Sequence, residues 1–185
     1  IIVKIIKISE SKLIEIIRSK FDSNYVEGSY KVRRDEFFNK FNNIKSFKEV
    51  DDTLIKDIIE FIGFEGFNSE DDAIEHISWM INNIYKKLKD PTKLYRVVGV
   101  KNKKQINSKD LGYHYVLDKI DIDLDSIGFD MFDEELTPYI MEVLVSLSEI
   151  NIQQTIRQNL NFPNENEITL KNNGRGAKFI KATKY

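Results

Sequence analysis

Pro91 divides the chain into two textures that belong to different kinds of secondary structure. Before it, apolar side chains recur at helical spacing. Ala73, Ile74, Ile77, Met80, Ile81, Ile84, Tyr85 and Leu88 form one stripe, and Leu54, Ile55, Ile58, Ile59 and Ile62 form another. After it, short apolar runs alternate with polar residues and are punctuated by Gly and Asn, which is the pattern of strands. Helices followed by strands, rather than alternating with them, predict an α+β architecture. The helical region is residues 1–91 and the β-rich region residues 92–185. No flexible linker marks the boundary, so the two are expected to pack as one unit.

The helical half carries its own start and stop signals. Ser69 followed by Asp72 predicts a capping-box variant at the head of the longest stripe. Lys86, Lys87 and Lys89 suit the dipole at its far end, and Asp90-Pro91 stops it. Asp51, Asp52 and Thr53 open the preceding helix, and Gly63 and Gly66 break it. Upstream, Ser9 or Ser11 caps an expected helix through Leu13, Ile14, Ile16, Ile17 and Phe21. Residues 22–32 lack periodicity and read as a loop. Arg33 to Phe47 reads as a weaker helix or two short ones. Trp79 is assigned to the core with the isoleucines around it.

In the second half, Leu94 to Val100 is an expected strand, followed by a basic loop from Lys101 to Lys109. Leu111 to Val116 is a turn into a second strand. Ile120, Ile122 and Leu124, alternating with Asp121, Asp123 and Asp125, read as a solvated edge strand. Tyr139 to Ser146 is a strand and Ile152 to Leu160 a short helix. Glu167 to Leu170 and Ala177 to Thr183 are strands joined by the turn Asn172-Asn173-Gly174-Arg175-Gly176.

Composition removes several function classes. The 185 residues are 41% hydrophobic and 31% charged, a globular balance. A net charge of −2 gives no overall basic field for nucleic acid or an acidic membrane. Without cysteine there is no disulfide, thiol nucleophile or thiolate metal site. His76 and His114 are the only histidines, which makes a zinc site a poor expectation. The opening Ile1 to Ile8 is broken by Lys4 and Lys7 and falls short of the ~20 apolar residues of a spanning helix. It lacks the features of a secretory signal and reads as a short buried strand. The expected location is the cytoplasm, without membrane association.

Residues that carry chemistry gather in the second half. Glu165 and Glu167 flank Asn166 where a strand begins. On a strand, residues i and i+2 share a face, so the pair puts two carboxylates on one side. One carboxylate then stabilises a developing cation while the other orients or deprotonates an acceptor. The bland alternative is an exposed strand end. Arg96, between Tyr95 and Val97, is either an inward charge with a partner or a residue of the solvent face. His114 between two tyrosines either touches a ligand or is a satisfied strand histidine. The run Asp121, Asp123, Asp125 fails the calcium-loop pattern, with Ser126 at the sixth position and Phe132 at the twelfth.

The order of these motifs resembles the ADP-ribosyltransferase family of the arginine-serine-glutamate type. Leu94-Tyr95-Arg96-Val97-Val98 matches the first motif, and Glu165-Asn166-Glu167-Ile168-Thr169-Leu170 the last. Asp110 to Asp118 is similar to a middle motif of phage and bacterial members. Tyr139 to Val145 looks like the strand that follows it, and Gly174 to Ile180 like the closing strand. The resemblance covers residues 92–185 and implies a small split mixed or antiparallel sheet. The serine motif has no intact copy; Ser146-Leu147-Ser148 holds serines but follows a later strand.

The resemblance implies transfer of ADP-ribose from NAD to a protein acceptor, with arginine the expected acceptor residue. Glu167 would stabilise the oxocarbenium-like transition state, and Glu165 would position the acceptor. Arg96 would hold NAD oxygens, and His114, Tyr115 and Ser146 would line the NAD site. A toxin-like, phage-encoded enzyme acting in the host cell fits this reading. Ile6 to Ile14 also looks like openings of phage-encoded proteins. The alternative is a non-enzymatic structural or interaction protein, associated with a virion or a host partner, with the same fold and a decayed site. A nucleic-acid-modifying transferase would need local help from the Lys101 to Lys109 loop.

Overall fold

A computed structural model describes residues 23–106, 111–112, 114–122 and 136–185. The expected strand at Ile1–Ile8, the helix through Leu13 to Phe21, and Asp123 and Asp125 lie outside the described residues. The chain divides into two compact units, Ile1–Lys40 and Phe41–Tyr185.

Helix α1 runs unbroken from Ser23 to Asn42. It replaces the loop expected over 22–32 and the weaker helices expected after Arg33. The segment has no apolar stripe in its first half, so periodicity gave no sign of it. Once nucleated, a helix extends through polar residues at little cost. Even Gly28, in open surroundings, costs only about 1 kcal/mol relative to Ala.

The second unit follows the sequence signals more closely. Helix α2, Asp52–Ile62, starts where the Asp51 carboxylate accepts the Leu54 N–H at 2.7 Å. It buries Leu54, Ile55, Ile58 and Ile59 and ends at Gly63, whose φ of 84° favours glycine. Helix α3, Glu70–Asn83, is capped by Ser69 Oγ, which accepts the Asp72 N–H at 3.1 Å. It stops at Asn83, well before Pro91; Tyr85–Lys87 continue only as a 3-10 turn. Ala73, Ile77, Met80 and Ile81 form its buried stripe. Trp79 does not belong to that stripe and is 53% exposed. Residues two apart on a helix point to nearly opposite sides, and Trp79 lies two from both Ile77 and Ile81.

Five strands form one antiparallel sheet in the order β4-β2-β1-β3-β5. They are β1 Thr92–Val100, β2 His114–Val116, β3 Thr137–Val145, β4 Glu167–Thr169 and β5 Lys178–Lys184. Strands β1 and β3 pair along their whole length, from Thr92↔Val145 to Val100↔Thr137. The expected α+β class holds. Two details differ. Strands β4 and β5 do not form a hairpin but occupy opposite edges. The turn between them carries Asn172, Asn173 and Gly174 in the left-handed region, which turns the chain away from β4. The expected edge strand at Ile120–Leu124 begins instead as a 3-10 turn, Lys119–Asp121.

Leu94, Tyr115, Met141, Val143, Val145, Ile168 and Ala182 are buried on one face of the sheet. Helix α4, Ile152–Asn161, is capped by Asn151, whose side chain accepts the Gln154 N–H. It buries Ile152, Ile156 and Leu160. Full burial of each such side chain is worth about 1.5–3 kcal/mol.

Candidate functional site

The three strands that carry the sequence motifs are neighbours. Strand β2 lies between β1, which holds Arg96, and β4, which opens with Glu167. Paired residues of adjacent strands share a face. The row Tyr95↔Val116↔Glu167 therefore points to one side of the sheet, with His114↔Thr169 on the same side. The next row, Arg96↔Met141 and Tyr115↔Ile168, points to the other. Met141, Tyr115 and Ile168 are each at most 2% exposed, so this second side is the core face.

Glu167 is 9% exposed. Its Oε1 meets His114 Nδ1 and accepts the Thr169 hydroxyl at 3.3 Å. Burial, and secondarily the charge of Arg96, lower the His114 pKa from its ordinary value of 6.5. The neutral form of the ring is therefore favoured at pH 7. Among the described residues no group of three or more His, Asp or Glu side chains is placed to hold a metal ion.

The Glu167 backbone is clamped from behind. Asn159, fully buried on α4, donates through Nδ2 to the Glu167 carbonyl at 2.8 Å and to the Thr155 carbonyl at 2.8 Å. The same nitrogen lies 3.1 Å from the Tyr85 hydroxyl, which also reaches the Glu167 carbonyl at 3.4 Å. Thr155 Oγ1 accepts the Thr169 N–H at 3.0 Å. Burial raises the Tyr85 phenol far above its ordinary value, so it stays protonated.

Arg96 works on the core side. Its Nη1 donates to the Leu111 carbonyl at 3.1 Å, and the Tyr115 hydroxyl donates to the same oxygen at 2.6 Å. Gly112 has φ +75°, and a Cβ there would run into the Arg96 guanidinium. The arginine and tyrosine together fix the turn that leads into β2.

The other expected site residues are dispersed. Glu165 lies in the 3-10 turn Pro163–Glu165 and not on the strand. Asn166, at φ 47°, breaks the alternation, so the shared face expected for Glu165 and Glu167 does not follow. Burial raises the Glu165 carboxyl above its ordinary value. Ser146 follows β3, five residues past the Met141 that pairs with Arg96, which is roughly 16 Å along the strand. Its hydroxyl pairs with that of Ser148 at 3.1 Å. Thr169, Asn159, Thr155 and Tyr85 were not among the expected site residues. Strand parity within Glu167-Ile168-Thr169 marks Thr169; nothing local marks the helical pair.

The turn Lys171–Gly174 sits against Leu111 and Gly112, with Gly174 pressed on the Gly112 carbonyl. Asn172, Asn173 and Arg175 line a cavity of about 460 Å³ there. No family model, curated protein or solved structure matches the chain.

Proposed function

We propose that the protein is a mono-ADP-ribosyltransferase that takes NAD as substrate and modifies a protein acceptor, with arginine the favoured acceptor residue. One observation carries this reading. The arginine, middle and glutamate strands, scattered along the sequence, stand side by side, and the middle strand brings His114 onto Glu167.

In this mechanism the Glu167 carboxylate stabilises positive charge growing on the ribose as the nicotinamide bond opens. Held by Thr169 and by neutral His114, it is oriented before substrate arrives, so little reorganisation is needed. Arg175, which lines the cavity with Asn172 and Asn173, is a cation of the kind that suits the NAD diphosphate. Arg96 shapes that turn from the core side. Glu165, whose carboxyl burial raises, receives the acceptor group.

The test is transfer of labelled ADP-ribose from NAD into a host-cell lysate, with wild type and Glu167→Gln. Loss of a charge that acts mainly in the transition state lowers the rate by about 10²–10³.

A second reading has one observation in its favour. Arg96 and Tyr115 are both engaged at the Leu111 carbonyl, on the face opposite Glu167. A non-enzymatic interaction protein with a decayed site would keep that structural pair and lose NAD binding. Calorimetric titration with NAD separates the two readings.

A further inference from the structure

Trp79 is the only tryptophan in the chain, and it is partly exposed on the side of α3 away from the buried stripe. A single exposed apolar residue needs no explanation by itself; what singles out Trp79, 53% exposed, is what surrounds it. Two cavities meet at it. One, of about 380 Å³, is lined by Phe67, Asp72, Glu75 and His76 together with Trp79. The other, of about 310 Å³, lies toward Leu117, Asp121 and Asn166 and shares Trp79 as a wall.

Each cavity joins an aromatic surface to a carboxylate. In the first, the Phe67 and His76 rings pack with centroids 5.2 Å apart, beside Glu75. Burial lowers the His76 pKa from 6.5, so the ring adds no positive charge at pH 7. In the second, the Asp121 carboxyl is raised by burial and by the charge of Asp118, and is eased by a hydrogen bond from Asn166. A cation placed there would relieve it further.

Glu70, Asp71 and Asp72 are accounted for by the dipole at the head of α3. Glu75 lies a turn further on, and Asp121 comes from a separate segment of chain. Each of the two cavities that Trp79 lines therefore also carries a carboxylate that the helix dipole does not account for, Glu75 in one and Asp121 in the other. An indole face with carboxylates at its edges is suited to a cation. It repels phosphate, which argues against a nucleic acid or nucleotide.

We propose that Trp79, with Glu75 and Asp121 on either side, is a docking site for cationic side chains presented by a segment of a partner protein. The cation stacks on the indole and faces a carboxylate. The site adjoins the back of the Glu167 arrangement, since Tyr85 and Asn166 line its second cavity, but cation binding there does not require turnover of NAD.

Because Trp79 is the only indole, its emission reports occupancy directly. The full chain is titrated with a short peptide carrying two arginines, its two-lysine counterpart, and a neutral version with glutamine at those positions. A saturable emission change is expected with both cationic peptides, and none with the neutral one. The double variant Glu75→Gln, Asp121→Asn should bind about tenfold more weakly or worse, as expected for loss of two exposed charge contacts. Circular dichroism confirms that it folds. In a second measurement, Trp79→Ala should lose binding of a fluorescently labelled arginine peptide read by anisotropy. The proposal is overturned by equal responses to neutral and cationic peptides, or by no saturable response to either cationic one. Unchanged affinity in either variant, or a preference for an oligonucleotide over the peptides, also overturns it.

Discussion

His114 Nδ1 lies against Glu167 Oε1, although β3 and α4 intervene between their strands in the chain. The contact exists because β4 pairs with the whole of β2, His114 opposite Thr169 and Val116 opposite Glu167. A buried carboxylate beside a neutral imidazole and a hydroxyl has its geometry set by the sheet itself. The catalytic proposal rests on that placement.

The burial of the two histidines sets a pH dependence. Burial lowers the pKa of both His114 and His76 in the folded protein below their ordinary 6.5. The unfolded chain then binds more protons than the folded one as pH falls from about 6.5 toward the folded values, and stability drops across that window. Above 6.5 the contribution is fully present. Asp121 and Glu165, whose carboxyls are raised, act with the opposite sign at lower pH. Urea unfolding from pH 7.5 to 5 should show the midpoint falling, with a shallower slope in His114→Gln.

Gly112→Ala should be strongly felt. The backbone there is left-handed, and the new Cβ meets the Arg96 guanidinium. A loss of about 1–3 kcal/mol is expected from the backbone conformation alone. In the double variant with Arg96→Ala the steric part disappears, while the backbone part and the lost bond to the Leu111 carbonyl remain. A double-mutant cycle by chemical denaturation should therefore show non-additivity of at least 0.5 kcal/mol.

Asn159→Ala should cost about 1–3 kcal/mol, because the Glu167 carbonyl is left buried with only the long bond from Tyr85. If NAD is turned over, the same variant should lower the rate, since β4 loses its anchor to α4. Denaturation midpoints and nicotinamide release, measured on one preparation, check both effects.

How much of this was legible in the sequence depends on the range of the interactions. Helices α2 and α3 were read within a residue or so at their starts, because Asp51 and Ser69 are local caps and the isoleucines repeat at helical spacing. Trp79 was misplaced because a stripe suggests burial for every large residue within it, whereas the helical angle decides. The strands bearing Arg96, His114 and Glu167 were found individually. Their adjacency, and the separation of β4 from β5, were not visible, since strand order is set by long-range pairing. Glu165 fell off the strand because Asn166 adopts a left-handed conformation that its sequence context permits without requiring.

The exposure of Trp79 carries its own test. Trp79→Ala should leave stability within about 0.5 kcal/mol of wild type. Ile77→Ala, at a position 2% exposed on the same helix, should cost about 2–5 kcal/mol. Thermal unfolding of the two variants side by side settles the comparison.

The most direct test of the central claim is the rate at which the full chain releases nicotinamide from NAD, for wild type and Glu167→Gln. The account predicts measurable release by wild type and a fall of about 10²–10³ in the variant, with folding unchanged. A folded wild-type protein that neither releases nicotinamide nor binds NAD, or a Glu167→Gln variant as active as wild type, would contradict it.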